Sequence, residues 1–199
     1  GPAAPPGPPE PGAIRVAQFN AALSRRGAGV LARDLLRDED PQLAGVAEIV
    51  QIVRPDILVI NEIDHDPEGL TLARFAALLR RGRNGRDGIA YPHRWAGPVN
   101  SGVRTGLDLD GDGAALGPAD AHGFGMYPGQ YGMAVLSRLP IREAGIRSFR
   151  LMRWAELPGA RLPERADGTP FPSAEARAAM RLSSKAHWDV PVKTPAGPL

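Results

Sequence analysis

The chain contains no cysteine, which excludes disulfides and thiolate metal sites. Lysine is nearly absent: Lys185 and Lys193 stand against 22 arginines. That bias reads mainly as GC-rich coding. Arginine is also the better bidentate partner for phosphate, and composition does not separate the two causes. No apolar run approaches the roughly 20 residues that a membrane span needs. The start at Gly1 shows neither a basic n-region nor an apolar h-region, so no signal peptide is read there. A large charge excess is also missing. The net charge of +2 is too mild to argue for nucleic-acid binding by itself.

What is present suits one globular domain. Of 199 residues, 43% are apolar and 23% charged, enough for a sizeable core. Six of the first 12 residues are proline, so residues 1–12 read as an extended Pro/Gly-rich linker or a frayed terminus. Residues 13–199 form the domain proper.

The stretch Arg54 to Asp64 organises the rest. Pro55 ends a helical pattern, and Ile57 to Ile60 is a β-branched, uncharged run that reads as a strand buried on both faces. It stops abruptly at Asn61-Glu62, with Asp64 and Asp66 close behind. A carboxylate at the end of a rigid strand is well placed for a hard divalent cation, which takes oxygen ligands. The alternative is a strand running into a solvated loop. Asp64, His65 and Asp66 cannot easily meet one ion, because neighbours on an extended chain point opposite ways. Glu62 is therefore the ligand candidate and His65 a loop residue.

Around this centre, Ile14 to Asn20 reads as a first strand. Ser24 to Asp40 ends in a short amphipathic helix, and Arg25 and Arg26 are either phosphate contacts or a solvated loop. Asp40 caps a helix begun by Pro41. Asp66 caps another predicted over Glu68 to Arg81. Gly82 to Tyr131 is irregular, and a loop of that length is usually functional or an insertion. It contains Asp108, Asp110 and Asp112 in a D-x-D-x-D-G pattern, the first half of a calcium loop. The match fails at the twelfth position, where Ala119 stands and Asp120 comes one residue late. Specific Ca²⁺ binding and a plain Gly/Asp-rich turn both stay open. Tyr131 to Ser137 reads as a buried strand, Ile146 to Met152 as another, Ser173 to Met180 as a short helix, and Arg181 to Val192 as a strand. His187 and Asp189 share one side of that last strand. Ser137 lacks the G-x-S-x-G elbow of a serine nucleophile.

A strand ending in Phe19-Asn20, then "PDILVINE", then "GMAVLSRLPI" resembles the endonuclease/exonuclease/phosphatase superfamily of deoxyribonuclease-like phosphoesterases. "LDLDGDG", "YPGQYGMAVLS" and "SSKAHWDVPV" resemble bacterial members, some of them fused to phytase domains. The resemblance covers Ile14 to Val192. It implies an α+β fold: a four-layer αββα sandwich of two mainly antiparallel sheets flanked by helices. It implies Mg²⁺ or Mn²⁺ held by Glu62, with Asn20 orienting metal and phosphate. The superfamily's catalytic histidine lies on a later strand, so a direct role for His187 stays open. The resemblance also leads us to expect that residues 13–199 are the amino-terminal part of a larger domain. An Asp that activates water and a histidine that stabilises the transition state would follow Leu199. Cut there, the chain would expose apolar strand faces and sheet edges and tend to aggregate.

The first functional reading is thus a metal-dependent hydrolase acting on a phosphate ester, nucleic acid or small phosphomonoester. The alternative is a non-catalytic relative that binds metal or ligand. A hydrolase using Ser137 or Ser184 with His187 lacks an orienting partner. Kinship with phytase fusions and the Pro-rich start favour an exported protein, periplasmic or secreted, over a cytoplasmic one.

Overall fold

The strand expected at Ile57–Ile60 is the middle of a four-stranded sheet. A computed structural model describes residues 4, 6–37 and 39–199. Residues 1–3 and 5 of the proline-rich segment, and Asp38 of the Ser24–Asp40 stretch, lie outside the described residues. The main elements are β1 (Val16–Asn20), α1 (Val30–Arg37), α2 (Pro41–Val53), β2 (Ile57–Asn61), α3 (Leu70–Arg80), β3 (His93–Trp95) and β4 (Met133–Ser137). They are followed by β5 (Arg147–Ser148), α4 (Ala174–Ala179), β6 (Trp188–Asp189), β7 (Lys193–Thr194) and β8 (Gly197–Pro198). The sheet order is β1-β2-β4-β3. β1 and β2 run parallel, and β4 is antiparallel to both β2 and β3.

Local signals place the helices. Asp40 Oδ1 accepts from the backbone N–H groups of Gln42 (2.8 Å) and Leu43 (3.3 Å), with Pro41 in the first turn of α2. These are donors that a helix start otherwise leaves unpaired. Arg54 closes α2 in the left-handed region (φ 49°), its N–H reaching Val50 O at 2.8 Å. Asp66 receives Leu70 N–H and Thr71 N–H at 2.8 and 2.7 Å, and α3 starts at Leu70 rather than Glu68. Ser173 Oγ accepts from Ala176 N–H at 3.0 Å and caps α4.

Alternation along β2 divides the core. Leu58 and Ile60 face the helices, packed with Leu43, Val50, Phe75, Leu79 and Leu136. Ile57 and Val59 face the other side, against Val135, Val190 and Val192. There the pairs β5–β6 and β7–β8 open a second layer, and Trp188 packs edge-on against Trp95 with ring centroids 4.5 Å apart. The architecture is α+β: a helix layer, a mixed sheet with two antiparallel pairings, and the start of a further β layer. Beside Val192 an apolar groove of about 260 Å³ stays open over Val16, Ile57 and Val59. Among the described residues no helix is long and apolar enough to cross a membrane.

The strand expected over Arg181–Val192 is confined to Trp188–Asp189, because side chains and loops claim its earlier backbone groups. Asn100 Nδ2 donates to Ser183 O (2.7 Å), Asn100 N–H to Lys185 O (2.7 Å), and Leu182 N–H to Met152 O (3.0 Å). Likewise the strand expected over Ile146–Met152 shortens to Arg147–Ser148.

The Asp66 cap gives a pH signature. Burial would raise its pKa, but hydrogen bonds from the Thr71 side chain and N–H and from Leu70 N–H outweigh that and hold it low. The cap's stabilisation is therefore present above the ordinary aspartate range and lost as pH falls through the depressed value. Asp66→Ala should cost about 1 kcal/mol at neutral pH. Urea unfolding should show that difference shrinking below about pH 4; a constant difference down to pH 2 would contradict it.

Candidate active site

Parallel pairing puts Asn20 of β1 opposite Asn61 of β2, and Ala21 N–H donates to Asn61 O at 3.2 Å. Asn20 and Glu62 therefore leave the sheet at the same edge, on neighbouring strands. Asn20 Oδ1 accepts from Ala22 N–H at 3.1 Å, which fixes the amide. Glu62 turns sharply, with φ at 60°, where a residue with a Cβ is uncommon. Ala22 (φ 50°) and Tyr131 (φ 54°) share that conformation. Among the described residues, three of the five non-glycine residues with positive φ thus stand where β1 and β2 end and β4 begins. Such backbone persists only where surrounding contacts impose it.

Those contacts centre on Asp64, which is buried. Its Oδ2 accepts from Arg25 N–H (2.8 Å) and the Tyr127 hydroxyl (2.8 Å), its Oδ1 from Tyr131 N–H (3.3 Å). Ser24 Oγ donates to Glu62 O at 3.2 Å and accepts from Tyr131 N–H at 3.0 Å. Gln130 Nε2 donates to Arg25 O at 2.8 Å. Burial first, then the hydrogen bond to Asp64 and its charge, push the Tyr127 phenol well above its usual pKa. The glycines of the "PGQYGM" stretch permit the close approach. A Cβ on Gly129 would lie 2.2 Å from His65 O, and one on Gly132 would lie 2.7 Å from Ile63 O.

Asp64, called only a neighbour of the ligand in the sequence, is the residue that holds three loops together. Arg25 joins the same scaffold: its guanidinium meets Asp34 at 3.2 Å and Asp40 at 2.6 Å, so it is no free phosphate contact.

The Glu62 carboxylate remains partly open. Its only charged partner among the described residues is Lys185, with Nζ 3.5 Å from Oε1. The Lys185 ammonium also lies 6.0 Å from the Tyr131 ring centroid. Glu62, Ser101, Phe124, Tyr131, Ser184 and Lys185 line an open cleft of about 200 Å³. Sequence reasoning did not single out Lys185, although it sits in the "SSKAHWDVPV" motif. A larger cleft, about 280 Å³, opens along Ile63–Pro67. Its Asp64 is committed to the loop contacts and its Asp66 to the α3 cap, which leaves Glu143 as that cleft's remaining acid, while Glu62 stands in the smaller cleft.

The remaining candidates lie elsewhere. His187 is exposed and edge-on to Phe149, ring centroids 5.5 Å apart, and lines neither cleft. Asp189 pairs with Arg147, Nε to Oδ2 3.0 Å. Ser137 is fully buried at the opposite end of the sheet, paired with Ile57, its Oγ accepting from Leu139 N–H. Ser184 reaches the Glu62 cleft, but among the described residues no histidine pairs with it. His65 is held by its backbone, N–H to Gly129 O at 2.8 Å; burial, partly opposed by Asp66, lowers its pKa.

In the 108–120 loop, carboxylate oxygens of Asp108, Asp110 and Asp120 lie within 4.8 Å of one another. Asp112 is outside this group, turned to Ala114 N–H at 2.8 Å. The late residue, Asp120, takes its place, buried and accepting from Leu109 and Gly117 N–H groups. Such oxygens keep lone pairs that a cation could use.

The chain is a member of the endonuclease/exonuclease/phosphatase family, which it matches over residues 17–199. It is similar to the crystal structure of an endonuclease/exonuclease/phosphatase from Beutenbergia cavernae DSM 12333, at 22% identity and a TM-score of 0.41. The match covers 93% of this chain and 36% of that one, so this chain spans about a third of that protein's length. No curated protein matches it.

Because Asp64 serves three donors, Asp64→Ala should destabilise by on the order of 3 kcal/mol, and Tyr127→Phe by about 1 kcal/mol. Urea midpoints measure both. An Asp64→Ala midpoint equal to wild type would remove Asp64 from this role.

Proposed function

We propose that the chain carries part of the centre of a divalent-metal-dependent phosphoesterase, with Glu62 and Asn20 holding Mg²⁺ or Mn²⁺. The observation behind this is the convergence of Asn20 and the half-open Glu62 carboxylate at one sheet edge, on backbone fixed by Asp64 and Ser24. The donor set fits a hard cation: an anionic oxygen and an amide oxygen, with no sulfur. When bound, the cation supplies Lewis acidity toward a phosphoryl oxygen.

The chain's own groups do the rest of the positioning. Glu62 presents its carboxylate from a turn that cannot swing freely. Asn20, with Oδ1 already accepting from Ala22 N–H, keeps its amide exposed at the neighbouring strand end. Lys185 counters the Glu62 charge and adds a point charge for a phosphate oxygen. No covalent intermediate is proposed, since Ser137 is buried away from the cleft and Ser184 has no activating base. The substrate is a phosphate ester, either nucleic acid or a small phosphomonoester. For the 108–120 loop, Ca²⁺ is the occupant that all-oxygen ligation favours.

Mn²⁺ binding followed by electron paramagnetic resonance, together with Mg²⁺-dependent hydrolysis of bis(p-nitrophenyl) phosphate and p-nitrophenyl phosphate, tests this. Glu62→Gln should weaken Mn²⁺ binding by on the order of 100-fold and abolish metal-dependent hydrolysis, with the circular dichroism spectrum unchanged. Undiminished Mn²⁺ affinity in Glu62→Gln would overturn the site. Mn²⁺ binding that depends on Glu62, without hydrolysis by the wild-type protein, would favour the metal-binding module instead.

A further inference from the structure

Two arginines with no carboxylate partner among the described residues meet at Asn100, next in sequence to Ser101 of the Glu62 cleft, and Arg150 itself lines a separate cleft with His65, Val99 and Gly129. Arg150 and Arg181 both donate through Nη1 to one oxygen, Asn100 Oδ1, the Arg150 bond at 3.4 Å. Asn100 is fully buried and pinned on its other side, Nδ2 donating to Arg150 O (2.9 Å) and Ser183 O (2.7 Å). Among the described residues no carboxylate oxygen lies within 4.0 Å of the guanidinium groups of Arg150, Arg153 or Arg181, although Glu156 takes the Arg153 backbone N–H at 3.2 Å. Among the described residues Arg25, Arg33, Arg86, Arg138, Arg147 and Arg177 each meet an acid, while Arg54, Arg74 and Arg165 donate to backbone carbonyls.

Holding two guanidinium groups on one amide oxygen is unfavourable unless an anion offsets the repulsion. The field is felt locally. Burial, then Arg150 and Arg153, depress the Arg181 pKa. Burial, then Arg181 and Arg150, depress that of His122, which stays neutral and adds no charge of its own. The cluster is also tied to the cleft. Asn100 N–H bonds Lys185 O at 2.7 Å, Ser101 and Ser184 line the cleft, and Arg181 is four residues from Lys185. Four residues span at most about 14 Å between Cα atoms, which sets the scale of a molecule that would touch both.

We propose that Arg150 and Arg181, braced by Asn100, bind a second phosphate group of the substrate, beyond the one engaged at Glu62. The forked geometry of arginine suits two oxygens of one phosphate, and unpaired arginines leave that fork available. The substrate class is then a molecule with at least two phosphates, either a strand with successive phosphodiesters or a multiply phosphorylated small molecule. This rests on the phosphoesterase reading for its meaning, but its test does not use the metal.

The experiment is calorimetric titration with inorganic phosphate in EDTA, on wild type, Arg150→Gln, Arg181→Gln and Arg181→Lys. Glutamine keeps much of the stem and a donor for Asn100 while removing the charge. Each glutamine variant should weaken phosphate binding at least tenfold, the loss of one charge-assisted contact. Arg181→Lys should keep more of it. Phosphate binding within twofold of wild type in both Arg150→Gln and Arg181→Gln would overturn the subsite, even if Glu62 proves to be a metal ligand. If Arg181→Gln fails to fold by circular dichroism, Arg150→Gln and Arg181→Lys decide. Competition then names the source. Displacement of phosphate by inositol hexakisphosphate alone assigns a small polyphosphate, displacement by a short single-stranded oligonucleotide alone assigns a strand, and displacement by neither overturns the proposal.

Discussion

One buried carboxylate sets the geometry at the active edge of the sheet. Asp64 takes donors from the loop after β1 and from the loop before β4, while itself belonging to the loop after β2. A charged acceptor in a low-dielectric setting makes strong bonds when saturated and is costly when not. The loops are therefore locked to one another or the structure there is lost. Glu62, two residues away, inherits that rigidity. Its left-handed backbone would relax in a free loop, and it persists because Asp64, Ser24 and the Ile63–Gly132 backbone bond hold both flanks.

Charge is arranged around this anchor in layers. Nearest the sheet, negative groups are either fully engaged, as in Asp64, or left half-open with a single ammonium opposite, as in Glu62. Arg150 and Arg181 crowd one amide oxygen, with no carboxylate within 4.0 Å of their guanidinium groups among the described residues. A small net charge of +2 thus conceals a strong local separation of sign. Steering of an anionic ligand depends on that separation more than on the total.

What the sequence disclosed, it disclosed through local rules. Pro55 and the run Ile57–Ile60 placed the central strand, Asp40-Pro41 the start of α2, and Ser173 the start of α4, because caps and periodicity act within a few residues. Family motifs placed Asn20 and Glu62 on strand ends, and parallel pairing brings those ends together. What stayed hidden depends on partners far along the chain. Arg25 looked like a phosphate contact until Asp34 and Asp40 were seen to hold it. Asp64 looked like one of several acids in a loop. Lys185 had no visible partner. The break in the calcium-like pattern at Ala119 obscured that Asp120 turns back onto Asp108 and Asp110, with Asp112 left out. Arg181–Val192 read as a long strand from its alternation, but the Asn100 side chain and loop backbone take the groups that a neighbouring strand would need.

The contacts that build the cleft join residues 39, 63, 67 and 107 positions apart. Each closes a large loop of chain before it returns any stabilisation, and such topologies order slowly. Helices α2 and α3 can form from their own caps, whereas the loops around Glu62 must wait for residues beyond 127 to be made and docked. The cleft is thus a late product of folding. A nascent chain halted before Tyr127 would hold helices and two paired strands, yet no fixed place for a ligand.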